Sequence, residues 1–242
     1  MFRRIFFVVV FCTSLVFAAG VPWDKPSDQW TQSDVFRILR DSPWSPAKIS
    51  IESDYRQGRT DPQTGVATNS PSNVQGALVL GITVTRGHPL PAVTVLWWSS
   101  RTIRLAQKKR LESRAGLDPL KRKVDTDETS DYILAVLGGK PLGILQDAKG
   151  DLHDSVFLEL ENGGTLDFTS VKFVDDVDAE TMRTEFHFPR ALHGEPAIDP
   201  ESERVIFHCR ATAKKETPDR KSLSSRVEFS PRAMKVRGQP DL

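Results

Sequence analysis

Cysteine is nearly absent: Cys12 and Cys209 are the only two in 242 residues. Cys12 sits inside an apolar N-terminal run, so removal of that run leaves Cys209 alone and excludes an intrachain disulfide. Stability must then come from a buried core, and about 220 residues are enough to build one. Long apolar runs are missing beyond Phe17, where nothing approaches the roughly 20 residues a spanning helix needs. An excess of one charge is missing too. The chain carries 33 Lys+Arg against 32 Asp+Glu, and without Arg3 and Arg4 the balance is 31 to 32, a net of −1, which points to no nucleic-acid partner.

Catalytic signatures are equally scarce. There is no G-x-S-x-G, Walker loop, H-E-x-x-H, C-x-x-C, dinucleotide glycine triplet or EF-hand loop, so the chemistries those motifs carry have no sequence support. Ser45-Pro46-Ala47-Lys48 matches S-x-x-K, but a proline follows the serine in a turn and the companion S-D-N and K-T-G motifs are absent. The five histidines (His88, His153, His187, His193, His208) are scattered with no pair at metal-ligand spacing, and no cofactor is expected.

What is present begins with Arg3 and Arg4, the apolar run 5–17 and the small residues Ala18, Ala19 and Gly20, the order of a secretory signal peptide cleaved after Ala18 or Ala19. Residues 1–19 are thus expected to be a signal peptide and 20–242 a single β-rich domain with a flexible loop at 56–75. Residues 20–29, with Pro22, Trp23 and Pro26, read as a loosely ordered extended leader.

The best-specified element follows, in the stretch 30–44. Thr31 and Asp34 form a capping box, Trp30 and Val35 have the spacing of a hydrophobic staple, and Val35, Ile38 and Leu39 share one face. Arg37 and Arg40 occupy the other side near the negative end of the dipole, and Pro43 stops the helix. Three turns are marginal alone, so Trp30, Asp34 and Trp44 are expected to anchor the helix to a larger body.

Period-two patterns predict strands over 48–53, 76–86, 91–98, 132–137, 142–146, 155–160, 165–174, 182–188, 203–212 and 223–229. Glu161-Asn162-Gly163-Gly164 predicts a hairpin, and Gly87-His88-Pro89 joins two strands. A second helix is expected over 101–114, capped by Ser99 or Ser100. Short strands with two helices imply an α+β protein, a predominantly antiparallel β-sheet (sandwich or partly closed barrel) with an N-terminal helix and one basic helix. A short internal echo pairs Phe188-Pro189-Arg190-Ala191 with Phe229-Ser230-Pro231-Arg232-Ala233.

Candidate sites are few. Residues 101–123 hold nine Lys or Arg against Glu112 and Asp118, while 125–201 hold 18 acids and five bases. Arg101, Arg104, Lys108, Lys109 and Arg110 are the candidate binding residues, for an envelope protein or a polyanionic surface such as anionic lipid. Complementarity to the acidic strands is the simpler expectation. Val205, Phe207 and Cys209 should face the core, with Ile206, His208 and Arg210 opposite, which makes Cys209 a buried small hydrophobe rather than a nucleophile. His187, His193 and Glu185 fall near one strand end, where solvated residues are expected. The loop of Asp175, Asp176, Asp178 and Glu180 has carboxylates suited to calcium, with a solvated turn as the simpler expectation.

Trp30-x-x-x-Asp34-Val35-x-Arg37-Ile38-Leu39-x-x-Ser42-Pro43-Trp44, with Trp98-Ser99-Ser100, Phe188-Pro189-Arg190 and 229–234, resembles a group of exported bacterial proteins of no assigned activity. The resemblance implies an exported globular protein and carries over no catalytic residue. The expected function is an envelope binding or structural module. The alternatives are an envelope hydrolase whose acid/base residues, such as Asp175, Asp178, Glu185 and His187, assemble only in space, and a polyanion binder acting through 101–123.

Overall fold

The computed structural model describes residues 20–46, 50–53, 93–113, 124–138, 142–175, 182–212 and 222–242. The expected leader at 1–19, the loop at 56–75, the strand at 76–86 with its turn at 87–89, the basic residues of 114–123 and the acidic residues of 176–180 lie outside the described residues.

Alternating apolar residues build two antiparallel sheets. The first contains β1 (Ser50–Ser53), β4 (Val156–Leu160), β5 (Thr165–Asp167), β10 (Val205–Thr212) and β11 (Ser222–Phe229), in the order β1-β11-β10-β4-β5. The second contains β2 (Val93–Trp97), β3 (Asp131–Gly138), β6 (Ser170–Asp175) and β7 (Met182–Pro189), in the order β2-β3-β7-β6. Neither sheet closes on itself among the described residues. The sheets face each other through aromatic side chains: Phe186 and Phe188 of β7 lie 5.8 and 6.5 Å from Phe207 of β10, and Trp97 of β2 lies 5.2 Å from Phe229 of β11. The fold is therefore the antiparallel, sandwich-like arrangement of an α+β protein.

Two strand expectations are corrected. The single strand expected over 165–174 is divided between the sheets. Phe168 enters the core against Phe186 and Phe188, which takes the chain out of the first sheet, and the Thr169 amide donates to the His187 carbonyl at 2.7 Å as the chain enters the second. The strand expected over 142–146 is a short helix, Gly143–Asp147, followed by the 3-10 segment Lys149–Asp154. Leu142 and Leu145 are three apart, Ile144 and Ala148 four apart, and all four are buried, so the local alternation concealed helical spacing. Ile206 lies on the face of β10 opposite Val205, Phe207 and Cys209, outside the core cluster that holds those three, but it is buried there rather than solvated. The Asn162-Gly163 hairpin is present between β4 and β5, with Gly163 at φ +81°.

Helix α1 (Gln32–Arg40) has its full capping box. Asp34 N–H donates to Thr31 Oγ1 at 3.1 Å, and Thr31 N–H donates to Asp34 Oδ2 at 2.9 Å. The Ser-Pro-Trp-Ser segment closes the other end by chemistry the sequence only hinted at. Asp41 N–H donates to the Arg37 carbonyl, Ser42 Oγ to Ile38 O and Ser45 Oγ to Leu39 O, so three of the last four carbonyls of the helix are satisfied. Trp44 is fully buried, with its ring edge-on to Trp23 at 5.5 Å. Its carbonyl accepts from Trp97 N–H at 2.8 Å, tying the helix end to β2. The segment before the helix is packed rather than loose: Pro22 and Trp23 are buried, and the Trp30 indole donates to the Pro22 and Lys25 carbonyls.

Helix α2 (Arg101–Glu112) packs beside α1 and is held at its start from far along the chain. Asp241 accepts from Ser100 Oγ at 2.7 Å, Arg101 N–H at 2.8 Å and Thr102 N–H at 3.0 Å, while its own carbonyl accepts from the Trp44 indole at 2.6 Å. The Asp241 carboxylate thus neutralises the positive end of α2, while its main-chain carbonyl holds Trp44 beyond the end of α1.

The internal echo is structural and longer than its first residues. After Phe188 and after Phe229 the chain makes a two-residue hairpin: β8 (Ala191–Leu192) with β9 (Glu195–Pro196), and β12 (Lys235–Val236) with β13 (Gln239–Pro240). His193-Gly194 and Arg237-Gly238 occupy the turns at φ 54°, 88° and 50°, 80°, and two positive φ values define a type I′ turn. In each case the residue after the second proline donates back across the base, Ala197 to Arg190 O and Asp241 to Met234 O.

Candidate functional site

Strand β7 sets Arg183, Glu185 and His187 on one face by simple alternation. Its register with β3 pairs Ile133 with His187, which brings Asp131 diagonally alongside. His187 Nδ1 lies 3.2 Å from Asp131 Oδ2, and His187 Nε2 lies 3.8 Å from Glu185 Oε2. Arg183 Nε donates to Glu185 Oε1 at 2.8 Å, and its guanidinium rests over the Trp98 ring at 4.3 Å. The row alternates in charge from carboxylate to imidazole to carboxylate to guanidinium.

His187 is only 5% exposed, and its Nε2 is buried without a hydrogen-bond partner. This corrects the expectation of a solvated strand end. His193 is no part of the row: it is an exposed turn residue. In the tautomer that donates Nδ1–H to Asp131, Nε2 presents a lone pair, as a general base would. Asp131 was missed by the sequence reading because only the β3–β7 register reveals it. Of the proposed acid/base set, Glu185 and His187 come together; Asp178 lies outside the described residues, and of Asp175 only the backbone, at the end of β6, is described. Among the described residues no group of three His, Cys, Asp or Glu is placed to hold a metal ion.

The candidate basic residues do not form one exposed stripe. Arg104 is buried and turned inward, its guanidinium donating to the main-chain oxygens of Ser99, Ser100, Asp125 and Asp127. Burial pulls its pKa below the usual arginine value, and Asp125 and Asp241 oppose that pull. Lys109 donates to the Ser27 and Asp28 carbonyls at 2.8 and 3.0 Å. Arg110 is half-buried, and Arg101 and Lys108 are exposed. Arg104 thus ties the basic helix to the main chain of 125–127 and Lys109 ties it to the main chain of 27–28, in both cases through carbonyl oxygens.

The remaining sequence candidates have structural roles. Cys209 is buried, and burial pushes its thiol up to about 12, so it is inert at neutral pH. The Ser45 hydroxyl is occupied by the Leu39 carbonyl. His208 donates or accepts at Glu159 at 2.9 Å and stacks on Phe157 at 4.7 Å. Among the described residues no helix is long and apolar enough to cross a membrane. Comparison with protein-family models, curated proteins and solved structures finds no match to this chain.

Proposed function

We propose that this chain is an exported bacterial envelope protein that acts as a binding or structural module, one of the group carrying the Trp30 to Trp44 motif. The observation that supports the reading is the use made of its polar groups. Arg104, Lys109, Ser45 and Asp241 each hold main-chain atoms of another segment, and Cys209 is buried as an apolar residue. Residues engaged in this way are not available for turnover. In-cell cross-linking tests the role. A defined cross-linked partner that binds the purified chain directly, and is lost on deletion of 56–75, is the expected result. A chain that cross-links to nothing and hydrolyses envelope polymers contradicts it.

A second reading has one specific observation in its favour, the unpartnered Nε2 of His187 between two carboxylates. Under it, the chain hydrolyses an envelope ester or amide and His187→Ala lowers the rate by roughly 10²- to 10⁴-fold, the usual worth of a general base. Under the binding reading, His187→Ala leaves partner binding intact.

A further inference from the structure

Helix α1 buries Val35, Ile38 and Leu39 and turns Ser33, Phe36 and Arg37 outward, with Arg40 half-buried at its last turn. Phe36 is 58% exposed, and the Arg40 guanidinium lies 4.5 Å from its ring centroid. Arg37 is exposed beside them, and Arg110 of the neighbouring helix is close enough to add its positive charge to that of Arg40. Arg101 and Lys108 are exposed on the same neighbouring helix. We propose that this face of α1, with Phe36 at its centre and Arg37 and Arg40 around it, docks the protein on a bilayer surface carrying anionic phospholipid headgroups. The inference names a partner for the binding role above and rests on that reading.

The chemistry favours a bilayer over an acidic protein. Carboxylates of a protein would satisfy the arginines and leave the ring in water. A headgroup region takes both at one depth, the ring toward the acyl boundary and the guanidinium groups among phosphates. Because Arg40 stacks on Phe36, ring and charge are presented at the same level. The helix has only nine residues, so the attachment is reversible and depends on both contributions.

The test is co-sedimentation of the full chain with vesicles of phosphatidylglycerol and phosphatidylcholine in equal parts, and with phosphatidylcholine alone. Any attached leader contributes equally to every variant, so variants are compared with one another. Binding to the anionic vesicles should exceed binding to the neutral ones and weaken with salt. Arg37→Gln should lower the partition coefficient about fivefold and Phe36→Ser about tenfold. Arg232→Gln removes the same charge from an exposed site paired with Glu203 and should change it little. Unchanged unfolding midpoints show that these exposed substitutions leave the fold intact.

Equal binding to both vesicle types overturns the proposal, as does a loss for Arg232→Gln matching that for Arg37→Gln. Loss with Arg37→Gln but none with Phe36→Ser also overturns it, since the ring at the centre of the face then takes no part in the attachment. The measurement uses purified protein, so its failure removes this surface and leaves the question of export to cell fractionation.

Discussion

Arg104 connects four main-chain oxygens with one planar group, a geometry that no other side chain reproduces. Arg104→Met leaves those carbonyls without their donor and should cost roughly 2 to 4 kcal/mol in urea unfolding, with Arg104→Lys recovering only part of it. Asp34 gives a prediction with a sign. The Thr31 amide, as the main cause, holds its carboxyl below the usual aspartate value. A carboxylate whose folded pKa is depressed contributes stability above its unfolded pKa of about 3.9 and loses it as pH falls through the folded value. Asp34→Ala should therefore cost about 1 kcal/mol near neutral pH and progressively less in acid, read from midpoints across the pH series. For Cys209 the expected result is a thiol that resists a disulfide reagent in the native protein and reacts stoichiometrically once unfolded.

At the scale of elements, the two helices differ in how their ends are secured. The α1 cap is local, with Thr31 and Asp34 three residues apart, and it was legible for that reason. The Ser100 cap of α2, whose hydroxyl accepts from Ile103 N–H at 3.3 Å, is local and was legible as well, but the second tie at that end comes from Asp241, about 140 positions away, and no pattern within the helix announces it. Asp241→Ala should cost roughly 1 to 2 kcal/mol and expose the first turn of α2 to hydrogen exchange ahead of the sheets. The His187 row has the same history. Alternation placed Glu185 and His187 on one face, but Asp131 is 56 residues away and enters through strand register. Leu142 to Gln146 misled for the opposite reason, since five residues are too few to separate period two from period 3.6. Strand positions and the hairpin at Asn162-Gly163 depended on nearest neighbours and were readable. The division of 165–174 between sheets was not, because it follows from Phe168 filling a space that Phe186 and Phe188 create.

The whole molecule depends on contact between two open sheets, made by Phe186, Phe188, Phe207, Trp97 and Phe229. Phe207→Ala removes the ring that touches both β7 phenylalanines and should cost about 3 to 5 kcal/mol. The loss should appear as one earlier transition, coincident by far-UV circular dichroism and tryptophan fluorescence, because Trp97 and Trp44 report on the same body. Cys209 is a free thiol, so among the described residues no disulfide reinforces that core. The proposed export of this body is tested most directly by fractionating bacteria that express the full chain and weighing the recovered protein. The account predicts an envelope or secreted species that begins at Ala19 or Gly20. A chain that keeps Met1 and stays in the cytoplasmic fraction contradicts it.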